Sequence, residues 1–227
     1  MENAKEKKTI EAPHVILCEG VDDEPFFKHF TDIIVDDPAT MLFQVMSFGG
    51  KNGLERFLHN IHVLRNFERV KSLVIIRDSD QDMENAEISI TNALRRADYA
   101  VPGKLCELAT PKGNERHPRT AYVLMPGIST VASGCLEDLC FDILRSPNDL
   151  RMGIAQNAVI ELVLAAEQHE ELRLVNSTKN KLYTYFSLTN NLLGCKIGAA
   201  AKRKVFDFES PRVEPLRELL VEILKSG

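Results

Sequence analysis

Four short apolar runs constrain this chain most: "HVILCE" at 14 to 19, "TMLFQVMSF" at 40 to 48, "KSLVIIRDSD" at 71 to 80 and "AYVLMPG" at 121 to 127. None alternates apolar with polar residues, so each reads as a strand covered on both faces. Amphipathic stretches lie between them. "DDEPFFKHFTDII" opens with acids and a proline, as helix starts favour. "GLERFLHNIHVLRNF" (53 to 67) spaces Leu54, Phe57, Leu58, Ile61 and Leu64 at helical intervals, and "MENAEISITNALRRA" and "GCLEDLCFDILRS" follow the third and fourth runs. Strands alternating with helices predict an α/β fold, a mostly parallel sheet with helices on both faces. After about residue 148 the pattern is helical alone, in "NAVIELVLAAEQHEELRLV" (157 to 175), "KLYTYFSLTNNLLG" and "VEPLRELLVEILKSG". The expected organisation is an α/β domain over 12–147 and a helical C-terminal extension over 148–227 packed on it.

With 44% hydrophobic residues in 227, the chain has ample apolar surface for a core. No apolar run approaches the ~18 residues of a membrane span, and "MENAKEKKTIEAPH" lacks the apolar stretch of a secretory signal. A soluble, cytoplasmic protein without a membrane partner is expected. The five cysteines are odd in number and form no CxxC pair, which argues against a disulfide framework or a zinc knuckle. Reduced, mostly buried thiols are expected instead.

The net charge of −5 argues against a protein coated with nucleic acid, but the charge is uneven. From Leu172 to Phe206 there are seven basic residues (Arg173, Lys179, Lys181, Lys196, Lys202, Arg203 and Lys204) and no acid. Such a local cationic surface can bind a polyanion. Tyr183, Tyr185 and Phe186 lie within it, either to stack on bases or to pack in the core.

The third run ends on Asp78, Asp80 and Asp82. In an open parallel sheet ligands bind at the carboxyl ends of the strands. Glu19, at the end of the first run, would then share a rim with Asp78 and Asp80. Clustered carboxylates cost several kcal/mol unless a cation lies between them, and oxygen-only donors suit Mg²⁺ or Mn²⁺. An EF-hand starting at Asp78 fails, because Met83 and Ser89 stand where Gly and Glu are required. The turn "SFGGKNGL" is no P-loop, since Val45 replaces its first glycine and Asn52 follows Lys51. Its glycines still permit a tight turn whose N–H groups, with Lys51, could meet a phosphate. Taken alone, the aspartates also read as a solvated loop and helix N-terminus. His117 falls in a polar loop, "PKGNERHPRT", that could reach the rim or remain plain surface.

The pair "VILCEGVDDEPFF" and "LVIIRDSDQD" resembles the TOPRIM domain, shared by DnaG-type primases, type IA and type II topoisomerases and overcoming-lysogenization-defect nucleases. The likeness covers roughly residues 12 to 145, and "GGKNGL" and "GCLEDL" look most like stand-alone and overcoming-lysogenization-defect members. It implies a Rossmann-like sheet, Glu19 as general acid or base, and Asp78 and Asp80 as magnesium ligands with Asp82 as the third acid of a DxDxD set. Asp23, four residues after Glu19, and Glu137, four after Ser133, match acids that such nucleases supply to a metal site. Both also read as helix N-terminal acids interacting with the macrodipole.

The departures narrow the expectation. No strand-passage, ATPase or zinc-binding module is read here, so the resemblance implies neither a complete topoisomerase nor a complete primase, and it leaves an ATPase or another protein as a partner chain. The expected activity is Mg²⁺-dependent (or Mn²⁺-dependent) phosphodiester processing on DNA or RNA, as a TOPRIM-type nuclease. Lys51, Lys196, Lys202, Arg203 and Lys204 are the expected nucleic-acid contacts. The alternative is a non-catalytic nucleic-acid-binding or adaptor module.

Overall fold

A computed structural model describes residues 9–35, 41–111, 117–128, 132–145, 149–169 and 177–226. The first part alternates as the apolar runs require: β1 (His14–Cys18), α1 (Glu24–Ile34), β2 (Phe43–Ser47), α2 (Leu54–Asn60), β3 (Ser72–Asp78), α3 (Met83–Arg96), β4 (Arg119–Met125) and α4 (Leu136–Asp142). Four helices follow: α5 (Leu150–Glu167), α6 (Ser177–Ser187), α7 (Ile197–Lys202) and α8 (Glu214–Lys225). The strands form one sheet in the order β2-β1-β3-β4, with every pair parallel. This is an α/β fold of Rossmann-like kind.

Successive strand side chains point to opposite faces, and both faces are covered. Ile16, Cys18, Val74, Ile76, Val123 and Met125 face a core built from α1, α4 and the later helices. Val15, Leu17, Leu73, Ile75, Tyr122 and Leu124 face α2 and α3. Two buried faces explain why the strands read as unbroken apolar runs rather than alternating ones. The helices after residue 148 join the first of these cores: Leu182, Phe186, Phe206, Phe208, Leu216 and Leu220 pack in one cluster with Ile16 and Val74. Phe26 is its aromatic centre, with ring centroids 5.8 Å from Phe206 and 5.3 Å from Phe208.

Some boundaries differ from the periodicity. The helix read over 53–67 stops at Asn60 and continues only as single 3₁₀ turns at Ile61–Val63 and Phe67–Arg69. Asn66 stands between them at φ 68°, a left-handed conformation that asparagine tolerates and a helix does not. α5 begins at Leu150, seven residues before the reading of 157, because the Asp149 side chain caps it by accepting from the Arg151 N–H at 2.9 Å. The end of that reading, 170–175, lies outside the described residues, as does Arg173. α7 went unread: at six residues it is too short for periodicity to announce. Among the described residues no helix is long and apolar enough to cross a membrane.

α7 lies directly on the start of α1. A Cβ built on Gly198 would fall 2.3 Å from the Pro25 Cβ, so only glycine permits this approach. Gly153, in α5, has nothing near it. Gly198→Ala is therefore expected to cost about 1–3 kcal/mol through overpacking, whereas Gly153→Ala should gain up to about 1 kcal/mol from helix propensity. Thermal denaturation of the two variants checks the opposed signs.

Candidate functional site

The chain passes from β1 outward to β2, then returns across β1 to reach β3 and β4. The strand order thus reverses between β1 and β3, and the crevice outside their carboxyl ends is where such sheets bind ligands. Glu19 follows the last residue of β1, and Asp78 is the last residue of β3.

Asp78 is turned toward α4. Its Oδ1 accepts the Leu136 backbone N–H at 2.9 Å. Burial pushes its carboxyl well above the usual carboxylate range, and the charges of Asp23, Glu19 and Glu137 push in the same direction against that hydrogen bond. Asp23, at the start of α1, accepts the Gly20 N–H at 2.8 Å. Its carboxyl is also raised, first by burial, then by Glu137, with the Gly20 bond opposing. Glu137 is only 5% exposed, and its Oε1 meets the Lys179 Nζ at 2.9 Å. Burial works against the Lys179 charge, but the pairing with Glu137 outweighs it and holds the ammonium above its ordinary value.

Glu19 stands at the other side. Burial raises its carboxyl, Arg77 pulls it down, and Asp80 and Asp23 push it up again. Its Oε2 lies 3.7 Å from Nε of Arg77, and neither atom has a hydrogen-bond partner although both are buried. Arg77 is anchored through its other arm, Nη1 donating to Ser89 Oγ at 2.8 Å. The glycine turn braces Glu19 from beneath. Gly50 donates its N–H to the Glu19 carbonyl at 2.9 Å, Gly49 to Ser47 Oγ at 3.1 Å and Gly53 to Gly50 at 2.7 Å. Those three N–H groups are thus used inside the protein, so the turn is a brace where the glycines suggested a phosphate cradle.

The other expected residues divide. Asp80 adopts φ 52°, bonds its N–H to the Gly134 carbonyl at 2.8 Å and pairs its exposed carboxylate with Lys51 at 2.8 Å. It adds its charge to Glu19 from the rim rather than from within the buried cluster. Asp82 serves as the N-cap of α3, accepting from the backbone and side chain of Asn85, which is the structural role such an acid often has. Lys196 reaches the rim, pairing with Asp22 at 2.6 Å. Lys202 and Lys204 act electrostatically on His29, two turns along α1, so they and Arg203 lie beyond the carboxylates. Tyr185 and Phe186 are core residues and Tyr183 is exposed. His117 precedes β4 and packs on Tyr99, at the opposite end of the sheet.

Arg77, Cys135 and Lys179 are additions to the expected set. Asp78, Cys135 and Glu137 bring one ligand atom each within 4.8 Å of one another, which among the described residues is the sole group of three so placed. The Cys135 thiol is pushed upward by burial and by Glu137 and Asp78.

A family model described as Protein of unknown function (DUF3226) matches residues 13–225. The chain belongs to this family. The DUF3226 match runs through β1 to α8, so the carboxylates and the helix bearing Lys179 fall within one family unit. Neither a curated protein nor a solved structure matches the chain.

The donor set fits a hard divalent cation. Asp78 and Glu137 bring their oxygens together, Asp23 and Glu19 lie within electrostatic reach of Asp78, burial raises the Asp78 and Asp23 carboxyls, and Glu19 adds an unpartnered buried oxygen. The sign of the pH dependence follows. Carboxyls raised in the folded state hold their protons after the unfolded chain has released its own, so their contribution to stability is present below pH about 4 and lost as pH rises through the raised values. Without metal, stability should therefore fall as pH rises from about 4. Mg²⁺ at ten times its Kd should restore about 1.4 kcal/mol, a Tm rise of about 3–6 °C for a chain of this size, at pH 8 but far less at pH 5. Asp78→Asn should raise the metal-free Tm and abolish the response. Thermal scans with and without Mg²⁺ at the two pH values check all three.

Proposed function

We propose that this chain is a divalent-metal-dependent phosphodiesterase acting on nucleic acid, a nuclease of the TOPRIM type. The observation that carries the reading is the placement of Asp78 and Glu137 side by side at the β1/β3 switch point, with Glu19 and Asp23 within electrostatic reach and the carboxyls of Asp78, Asp23 and Glu19 raised. Mutually repelling buried acids are a cost to the fold that a bound cation offsets. The resemblance carried by Glu19-Gly20 and Asp78-Ser79-Asp80 supports the same reading.

Asp78, Asp23 and Glu137 are the residues that would hold Mg²⁺ or Mn²⁺, which would supply charge to a phosphoryl oxygen and lower the pKa of a bound water. The remaining work belongs to the chain itself. Glu19 moves the proton: its carboxyl, raised by burial, is suited to give one to a leaving oxygen or take one from water. Arg77 holds that side chain at 3.7 Å and keeps its pKa from rising further. Lys179 presents a fixed positive charge where negative charge develops on the phosphate. Ser79, whose hydroxyl lies 2.7 Å from the carbonyls of both Met125 and Ala132, fixes the backbone between Asp78 and Asp80.

Supercoiled plasmid, single-stranded DNA and RNA incubated with Mg²⁺ or Mn²⁺ provide the test. Cleavage by the wild type is expected, with losses of about 10²–10⁴-fold in Glu19→Gln and about 10²–10³-fold in Lys179→Met, and none left in Asp78→Asn. Wild-type protein that binds the metal yet cuts none of these substrates would leave an adaptor module as the function.

A further inference from the structure

α6 does more than deliver Lys179. Four residues further on, one turn and about 6 Å along the helix, it carries Tyr183 over the same rim. Tyr183 is 39% exposed while the next two aromatics of the helix are buried. Its ring stands nearly perpendicular to that of Phe186, centroids 5.8 Å apart, so a core residue holds it in place. Its hydroxyl feels Glu137, Lys179 and Asp22, which places the ring beside the carboxylate site. Lys196, 70% exposed at its side chain, pairs with Asp22 at 2.6 Å and is within electrostatic reach of Tyr183.

An aromatic ring held rigid, exposed, and flanked by two ammonium groups beside an acidic centre has a chemical meaning. The ring offers a π-face to any nucleobase, and the cations offer partners to the phosphates before and after it. A duplex keeps its bases stacked on each other and cannot use the ring. An unpaired strand can. We infer that Tyr183 is a stacking platform that seats one unpaired nucleobase next to the phosphate at the carboxylate site, with Lys196 taking the neighbouring phosphate. The substrate is accordingly single-stranded nucleic acid, or an unpaired end, rather than duplex. The inference rests on the nuclease reading and adds to it the class of strand.

The test uses the full chain bearing Asp78→Asn, which does not cleave, and measures binding of fluorescein-labelled single-stranded DNA, single-stranded RNA and duplex DNA by anisotropy. Adding Tyr183→Ala should weaken single-strand binding roughly 10- to 100-fold, with Tyr183→Phe close to the parent and duplex binding unchanged. The DNA and RNA arms show which strand is preferred. Lys196→Ala should weaken binding and flatten its salt dependence by about one phosphate. Unaltered Tm in each variant excludes a folding effect. Single-strand binding unaffected by Tyr183→Ala, or lost equally in Tyr183→Phe, overturns the inference. Wild-type protein that hydrolyses bis(4-nitrophenyl) phosphate with Mg²⁺ but binds no nucleic acid also overturns it and leaves the phosphodiesterase reading standing. Failure of both binding and hydrolysis sinks the two together.

Discussion

Withdrawal of neighbouring carboxyls from water, with their mutual repulsion added to it, is the constraint on which the rest of this structure turns. Asp78, Asp23 and Glu19 are each pushed toward protonation, and Glu137 beside them is paired with Lys179. Such a cluster exists only because the surrounding backbone over-determines it. β1 and β3 are zipped in register from His14–Ser72 to Leu17–Ile75, and β3 continues along β4 to the Asp78–Met125 pair. Leu136 N–H holds the Asp78 carboxylate, Gly20 N–H holds Asp23, and Ser79 pins the following loop. The stability of the sheet supports a locally unfavourable arrangement, the usual signature of a functional site.

The sheet was legible because four strands buried on two faces leave an unmistakable pattern of unbroken apolar runs. Glu19 and Asp78 were legible with it, since their positions at strand ends follow from the topology alone. Period could not show that α2 would tighten into a 3₁₀ turn after Asn60 and the chain turn left-handed at Asn66, nor reveal α7, which is shorter than two turns. The aspartate triplet shows the limit at single residues. Spacing treats Asp78, Asp80 and Asp82 alike, yet one is half-buried against the Leu136 N–H, one is paired with Lys51 at the surface and one caps a helix.

Arg77 and Lys179 left signals of different strength. Arg77 is a lone charge inside an apolar strand, and such a residue needs a buried partner. It finds Ser89 and faces Glu19. Lys179 was one of seven bases in an acid-free segment, and nothing local distinguishes it from Lys202. Only the packing of α6 against α4 selects it. The basic segment is consequently not one surface: its first part neutralises the acids of the rim, and its last part lies along α1.

Gly198 against Pro25 gives this arrangement a further meaning for dissecting the chain. All four clustered acids precede residue 148, so the α/β portion looks separable on paper. Cutting there would strip α7 from the first turn of α1, the turn that carries Asp23, and would bare Phe26 where Phe206 and Phe208 now cover it. It would also remove the Lys179 ammonium that pairs with Glu137. A fragment that keeps every acid would therefore lose both the counterion and the apolar lid beneath them, and the smallest unit able to carry this site extends into the helices that look dispensable.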